Sequence, residues 1–201
     1  MSRLVKCDDT FHQNENGLSV LFWCFHLVWK TLVKVLIAGV GHPNLKDLSF
    51  GQVLLEHLKT LDWPEEIDLE NLSFGAIAVL QWFEDFPGKY QRVVFISAAE
   101  RNREPGMLET YSWDFLPLDG VKVQECVAES VTGIISLDNL LMILQQFNAL
   151  PSEVEVIEIE PVDSTIGFEC SPAVTARFAE FSEIVRQKAN IATVPGAVAT
   201  G

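Results

Sequence analysis

Two loops in this 201-residue chain carry residue types that could do chemistry. The first, Gly39-Val40-Gly41-His42-Pro43-Asn44, follows an apolar run and opens with G-x-G, a spacing that allows a tight turn and close backbone approach. A dinucleotide fingerprint would need a third glycine where Asn44 stands. No acidic residue clearly ends the second strand as a ribose ligand, although Glu70 is near, so nucleotide binding is disfavoured. The second loop follows Ser97 and crowds Glu100, Arg101, Arg103 and Glu104 into a chain poor in arginine. Planar guanidiniums suit recognition of a carboxylate or a peptide terminus. The alternative is a solvated loop with local ion pairs worth little. Gly39, Gly41, His42, Ser97, Glu100, Arg101 and Arg103 are therefore the candidates for substrate contact. No Ser–His–Asp arrangement can be argued, because Ser97 lacks the flanking glycines of a nucleophile elbow and His57 lies in a helical stripe.

The elements that must position these loops alternate between strand and helix. Val35 to Ala38 is a short apolar run of the kind found in buried parallel strands. Phe50, Val53, Leu54, His57, Leu58 and Leu61 recur at helical spacing. Ile67 to Leu72 predicts a second strand, and Ile77, Leu80 and Phe83 a second helix stopped by Pro87-Gly88. Trp82, Phe83, Phe86 and Tyr90 read as core and helix-end packing. Val93 to Ile96 is the third strand, and Met107 to Trp113 alternates as an edge strand would. Leu137, Leu140, Leu141 and Leu144 give a helical stripe. Val154 to Ile159 is the last strand, whose alternating acids predict one wet face. Val174, Phe178, Phe181 and Val185 predict one closing helix that starts with Ser171 as N-cap and Pro172 at its first position. This order predicts an α/β, three-layer fold: a twisted, mainly parallel sheet with helices on both faces, phosphorylase/hydrolase-like. Ligands of such sheets bind beyond the carboxyl ends of the strands, where both loops fall.

Composition narrows the partners. The formal net charge of −14 disfavours nucleic acid and membrane surfaces. It would attract a partner with a basic tail or patch, although acidity can also serve solubility alone. Cys7, Cys24, Cys126 and Cys170 are scattered without C-x-x-C or zinc-like spacing, which predicts reduced, buried thiols and a cytoplasmic location. The apolar run Leu18 to Trp29 is too short to span a bilayer, and no small-x-small cleavage site follows it. Residues 1–33 read as an accessory extension or as the product of a start codon called too early, with a membrane-associating helix as the alternative. Residues 34–190 form the predicted domain and 191–201 a loose tail.

The blocks, taken in order, resemble the hydrogenase maturation proteases, the endopeptidases of nickel–iron hydrogenase large subunits. The first block is G-V-G-H-P-N-L-K-D-L-S-F-G, a strand, G-x-G, a polar residue, proline, and then x-D-x-x-x-G opening a helix. Glu70-Asn71-Leu72-Ser73-Phe74-Gly75 stands where that family has an acid, two glycines, threonine and a later glycine. Val93 to Ala98 with Glu104-Pro105-Gly106-Met107 is similar to its third strand and proline–glycine turn. Ile159-Glu160-Pro161 with Ser171-Pro172-Ala173-Val174 looks like its last strand and final helix start. The resemblance covers roughly Lys34 to Lys188. It implies removal of a carboxy-terminal tail from a hydrogenase-like large-subunit precursor, without an intrinsic cofactor. Two carboxylates and one histidine would touch nickel already sitting in the substrate.

At the three positions where the resemblance implies those contacts, this chain has Leu48, Ser97 and Gly133. Leucine and glycine side chains offer no lone pair, and a serine hydroxyl is a poor nickel ligand. His42, Asp47 and Asp138 could together rebuild a metal contact of one histidine and two carboxylates. The competing readings are Asp47 or Ser49 as a helix cap, Asp138 on the solvent side of its helix, and His42 as polar surface. Two functions stay open: a divergent maturation endopeptidase, or a non-catalytic relative that binds a metalloenzyme subunit as an assembly factor.

Overall fold

The computed structural model describes residues 34–130 and 136–189. The apolar run Leu18 to Trp29, Cys7, Cys24, Gly133 and the 191–201 tail lie outside the described residues. The sheet has five strands: β1 (Val35–Gly39), β2 (Ile67–Asn71), β3 (Arg92–Ala98), β4 (Leu108–Ser112) and β5 (Glu153–Ile159), in the order β2-β1-β3-β5-β4. All neighbours are parallel except β4, which runs antiparallel to β5 at the edge. β1 and β3 are buried along almost their whole length, which is why they read as unbroken apolar runs.

Helices cover both faces. Against one face pack α1 (Phe50–Leu58) and α6 (Phe178–Lys188), whose Phe50, Leu54, Phe181 and Val185 meet Ile37, Val94, Ile96 and Ile157. Against the other pack α2 (Ala76–Asp85), α3 (Gly120–Ser130) and α4 (Leu137–Gln146), whose Val79, Phe83, Leu140 and Leu144 meet Leu36, Val93, Phe95 and Val156. Two separate apolar clusters, one on each face, make the three layers predicted by the alternation of elements. Trp82 lies edge-on to Phe83 and stacks on Tyr90, closing the end of α2 as its aromatic spacing implied.

Three local readings are corrected. Residues 120–130 form a helix the sequence did not announce, because only Val123 and Cys126 along it are buried and no apolar stripe results. The closing helix is two pieces, the single turn α5 (Pro172–Thr175) and α6, separated at Arg177. The expected wet face of β5 is absent at its carboxyl end, where Glu158 is completely buried. Glu153 and Glu155 share one parity along the strand, but Glu158 has the other. It therefore falls on the same face as Val154 and Val156, in the core.

Candidate functional site

The carboxyl ends of β1, β2, β3 and β5 gather the loops that the sequence singled out. The first loop leaves β1 and returns into α1 at very close range. A Cβ on Gly39 would lie 2.3 Å from the Gly51 carbonyl oxygen, and one on Gly51 would lie 2.3 Å from the carbonyl oxygens of Ile96 and Val40. G-x-G and the later glycine are thus needed for one purpose: the first turn of α1 rests directly on the sheet backbone. Gly41 is similarly confined, 2.7 Å from the Leu48 carbonyl oxygen by the same measure, and its N–H donates to Ser73 Oγ at 3.1 Å.

Asp47 closes this loop as an anchor. Its carboxylate is fully buried. Oδ2 accepts from the N–H groups of Val162 and Asp163 at 2.9 and 3.0 Å and from Ser171 Oγ at 2.9 Å, while Oδ1 accepts from Ser171 N–H at 2.6 Å. Four donors from one loop converge on two oxygens, so the lone pairs that could serve a metal are occupied. Neither proposed cap forms. The Asp47 side chain makes no bond to α1, whose Phe50 N–H donates only to the Asp47 backbone carbonyl, and Ser49 Oγ, at the N-cap position, donates to the Lys46 carbonyl instead. Ser171 precedes α5 as expected, with Pro172 in its first turn, but its hydroxyl serves Asp47 rather than the helix.

The arginine loop after β3 builds a second charged cluster. Arg101 is held by two carboxylates at once: Nε and Nη2 lie 3.0 and 2.9 Å from the Glu158 oxygens, and Nη1 and Nη2 lie 2.7 and 2.9 Å from those of Asp138 on α4. Arg103 adds a bond from Nη2 to Glu158 at 2.8 Å and pairs through Nε with Glu109 of β4 at 3.0 Å. Its Nη1 is buried without a partner among the described residues. Glu160 accepts the Arg101 N–H at 2.8 Å, and Glu100 accepts from Ser164 Oγ at 3.0 Å. The hydrogen bonds that Arg101 donates to Asp138 and Glu158 hold its guanidinium charged far above its ordinary range. Burial, reinforced by the Glu158 charge, pushes the neighbouring Tyr111 phenol up to about 12.

The candidate residues therefore divide. Arg101 and Arg103 are brought together with Asp138 around a glutamate that sequence reasoning read as wet. Ser97 is buried at the end of β3, paired in the sheet register with Glu158. Leu48 packs against the cluster beneath α1. His42 is half-buried, and burial lowers its imidazole pKa, so the ring is neutral near pH 7. The His42 backbone N–H donates to the Leu48 carbonyl at 2.9 Å. Asp138 lies neither in free solvent nor beside Asp47, and no group of three or more metal-ligating side chains forms among the described residues. Sequence reasoning missed Glu158, whose parity was the available signal. It also missed Lys46 and Asp163, whose ion pair joins the first loop to the 160–171 loop across 117 residues of chain, a separation no local pattern can report.

Clefts lie at both edges of the sheet. One of about 420 Å³ lies between Lys46, Asp163, Phe168 and Pro172, beside the anchored loop. Another, about 390 Å³, is framed by Phe83, Phe86, Tyr90, Phe147 and Leu150 at the opposite, amino edge of the sheet.

No family model and no curated protein matches the sequence. Solved structures do. A hydrogenase 2 maturation peptidase from a Thaumarchaeota archaeon is 22% identical, with a TM-score of 0.54 over 77% of this chain and 96% of that one. The hydrogenase maturating endopeptidase HybD from E. coli is 19% identical, with a TM-score of 0.55 over 77% of this chain and 91% of that one. A NiFe hydrogenase maturation protease, HycI from Thermococcus kodakarensis, is 18% identical, with a TM-score of 0.51 over 83% and 99%. At these identities the likeness is one of fold: the chain has the fold of these peptidases.

Proposed function

We propose that the chain is a divergent hydrogenase maturation protease that engages the carboxy-terminal region of a hydrogenase-like large-subunit precursor and removes its tail. The observation that carries this reading is the shared fold, together with a first loop that uses G-x-G, Asp47 and Gly51 in the order the family resemblance implies. Nickel enters only as cargo of the substrate. His42 is the candidate contact with a nitrogen lone pair available at neutral pH. Asp47 supports the reading as the residue that shapes the loop, and Arg101 and Arg103 as guanidiniums facing the same edge. The cytoplasm is the compartment that suits the reduced, buried Cys126 and Cys170.

A second reading, binding without cleavage, is favoured by one specific observation. The acids nearest the edge already serve other partners: Asp47 the backbone of the 160–171 loop, and Asp138 and Glu158 the two arginines. Leu48 and Ser97 add no strong donor. Incubation of the full chain with a nickel-loaded large-subunit precursor, followed by intact mass and gel filtration, separates the two. A precursor shortened at its carboxyl terminus supports the endopeptidase. A stable complex of unchanged mass supports the binder, and absence of both contradicts the two readings together.

A further inference from the structure

Ile166 and Phe168 are 86% and 81% exposed, more than any other large apolar side chain among the described residues. A slack loop would fold such side chains back against the body. This one is prevented from doing so. Asp47 holds Val162, Asp163 and Ser171, so both ends of the loop are tied to one buried carboxylate. Between them, Gly167 N–H donates to the Asn44 carbonyl at 2.9 Å and the Gly167 carbonyl accepts from Lys46 N–H at 3.1 Å, a bridge to the first loop. The Lys46 stem lies over Gly167, where a Cβ would meet its Cγ at 2.8 Å, and its ammonium pairs with Asp163. Thr165 N–H and Oγ1 both bond Asp163, and Ser164 reaches Glu100. Thr165 and Gly167 on either side of Ile166, and Gly167 and Ser171 around Phe168, are thus pinned, and these two apolar side chains stay exposed.

We propose that Ile166 and Phe168 form a preorganised docking point for a partner protein that offers an apolar cleft edged by lysine or arginine. Pinning lowers the ordering cost of association, the condition under which two apolar side chains can anchor an interface. Charge selects the occupant. Glu169 is exposed beside Phe168, Glu100 lies against Ser164 of the loop, the Asp163 charge is already met by Lys46, and the chain carries −14 overall. A second copy would set acid against acid, and an anionic lipid surface would be repelled, whereas a basic rim is attracted. The loop is continuous with the carboxyl-edge site through Asp47 and Lys46. Identifying the partner as the large-subunit precursor rests on the function proposed above.

The test uses the full chain and the Ile166→Ser/Phe168→Ser double variant, with binding to nickel-loaded precursor measured by interferometry. The replaced side chains touch solvent, so the thermal midpoint should be unchanged, and precursor affinity should fall at least tenfold. A Glu169→Lys variant should bind more slowly, with a weaker dependence on salt. If the double variant binds the precursor as the parent does, the docking point is overturned and the proposed function stands. If the parent itself fails to bind precursor, the partner assignment falls with that function. Self-association of the parent, or its binding to phosphatidylserine vesicles, overturns the proposal if the double variant abolishes it.

Discussion

Asp47 is the residue on which the carboxyl edge turns. Its two oxygens receive three backbone N–H groups and one hydroxyl. Replacing one oxygen with an amide would aim donors at donors, so Asp47→Asn should cost about 2–4 kcal/mol of stability. Urea denaturation measures this, and a loss below about 0.5 kcal/mol, the range of surface changes, would contradict the anchor. Glu158 and Asp138 differ in the same way that buried and exposed pairs differ. Glu158 has no exposed surface, and its removal leaves Arg103, 18% exposed, without its buried counterion. Glu158→Ala should therefore cost about 3–5 kcal/mol, as breaking a buried pair does. The Asp138 carboxylate is 35% exposed, and Asp138→Ala should cost about 1 kcal/mol or less. Equal losses in the two variants would show that burial does not set the hierarchy.

At the scale of elements, glycine decides how close helix and sheet come. Gly51→Ala forces a Cβ into the carbonyl oxygens of Ile96 in β3 and Val40 just after β1, backbone that the sheet holds in place. The expected cost is about 3 kcal/mol, at the upper end for overpacking, read as a lowered thermal midpoint. Gly120→Ala, with open space around it, serves as the control without overpacking. The inner strands were legible because β1 and β3 are continuous apolar runs, and α1 and α4 because they bury regular stripes. The helix at 120–130 was not, since its two buried residues leave no stripe. The arginine loop was legible as a cluster of unusual residues. Its partners were not, because Glu158 and Asp138 lie 57 and 37 residues away and meet Arg101 only once the sheet has formed. For the same reason Asp47 read as a cap before a ligand, and it is neither: its side-chain partners are more than a hundred residues downstream.

Across the whole molecule, pH reports which charges the fold uses. The Lys46 ammonium, with help from Thr165, holds the Asp163 carboxyl well below its ordinary 3.8. The folded state thus binds fewer protons there, so this contribution is complete above 3.8 and is lost as pH falls through the depressed value. Protection of the amides at residues 163–168, relative to their intrinsic exchange rates, should fall on acidification in that window, and Asp163→Asn should remove the dependence. At the alkaline end, burial pushes the Cys170 thiol up to about 12 from its ordinary 9.0. Stability from the neutral thiol is intact below 9.0 and lost as pH climbs towards 12, a slope Cys170→Ala should abolish.

The central proposal is that this chain engages a hydrogenase-like large-subunit precursor. Native mass spectrometry of the full chain mixed with nickel-loaded large-subunit precursor tests this most directly, since it reads complex and cleavage together. The account predicts a one-to-one complex whose precursor is shortened at its carboxyl terminus. Free components at full mass, with no complex at any salt, would contradict it.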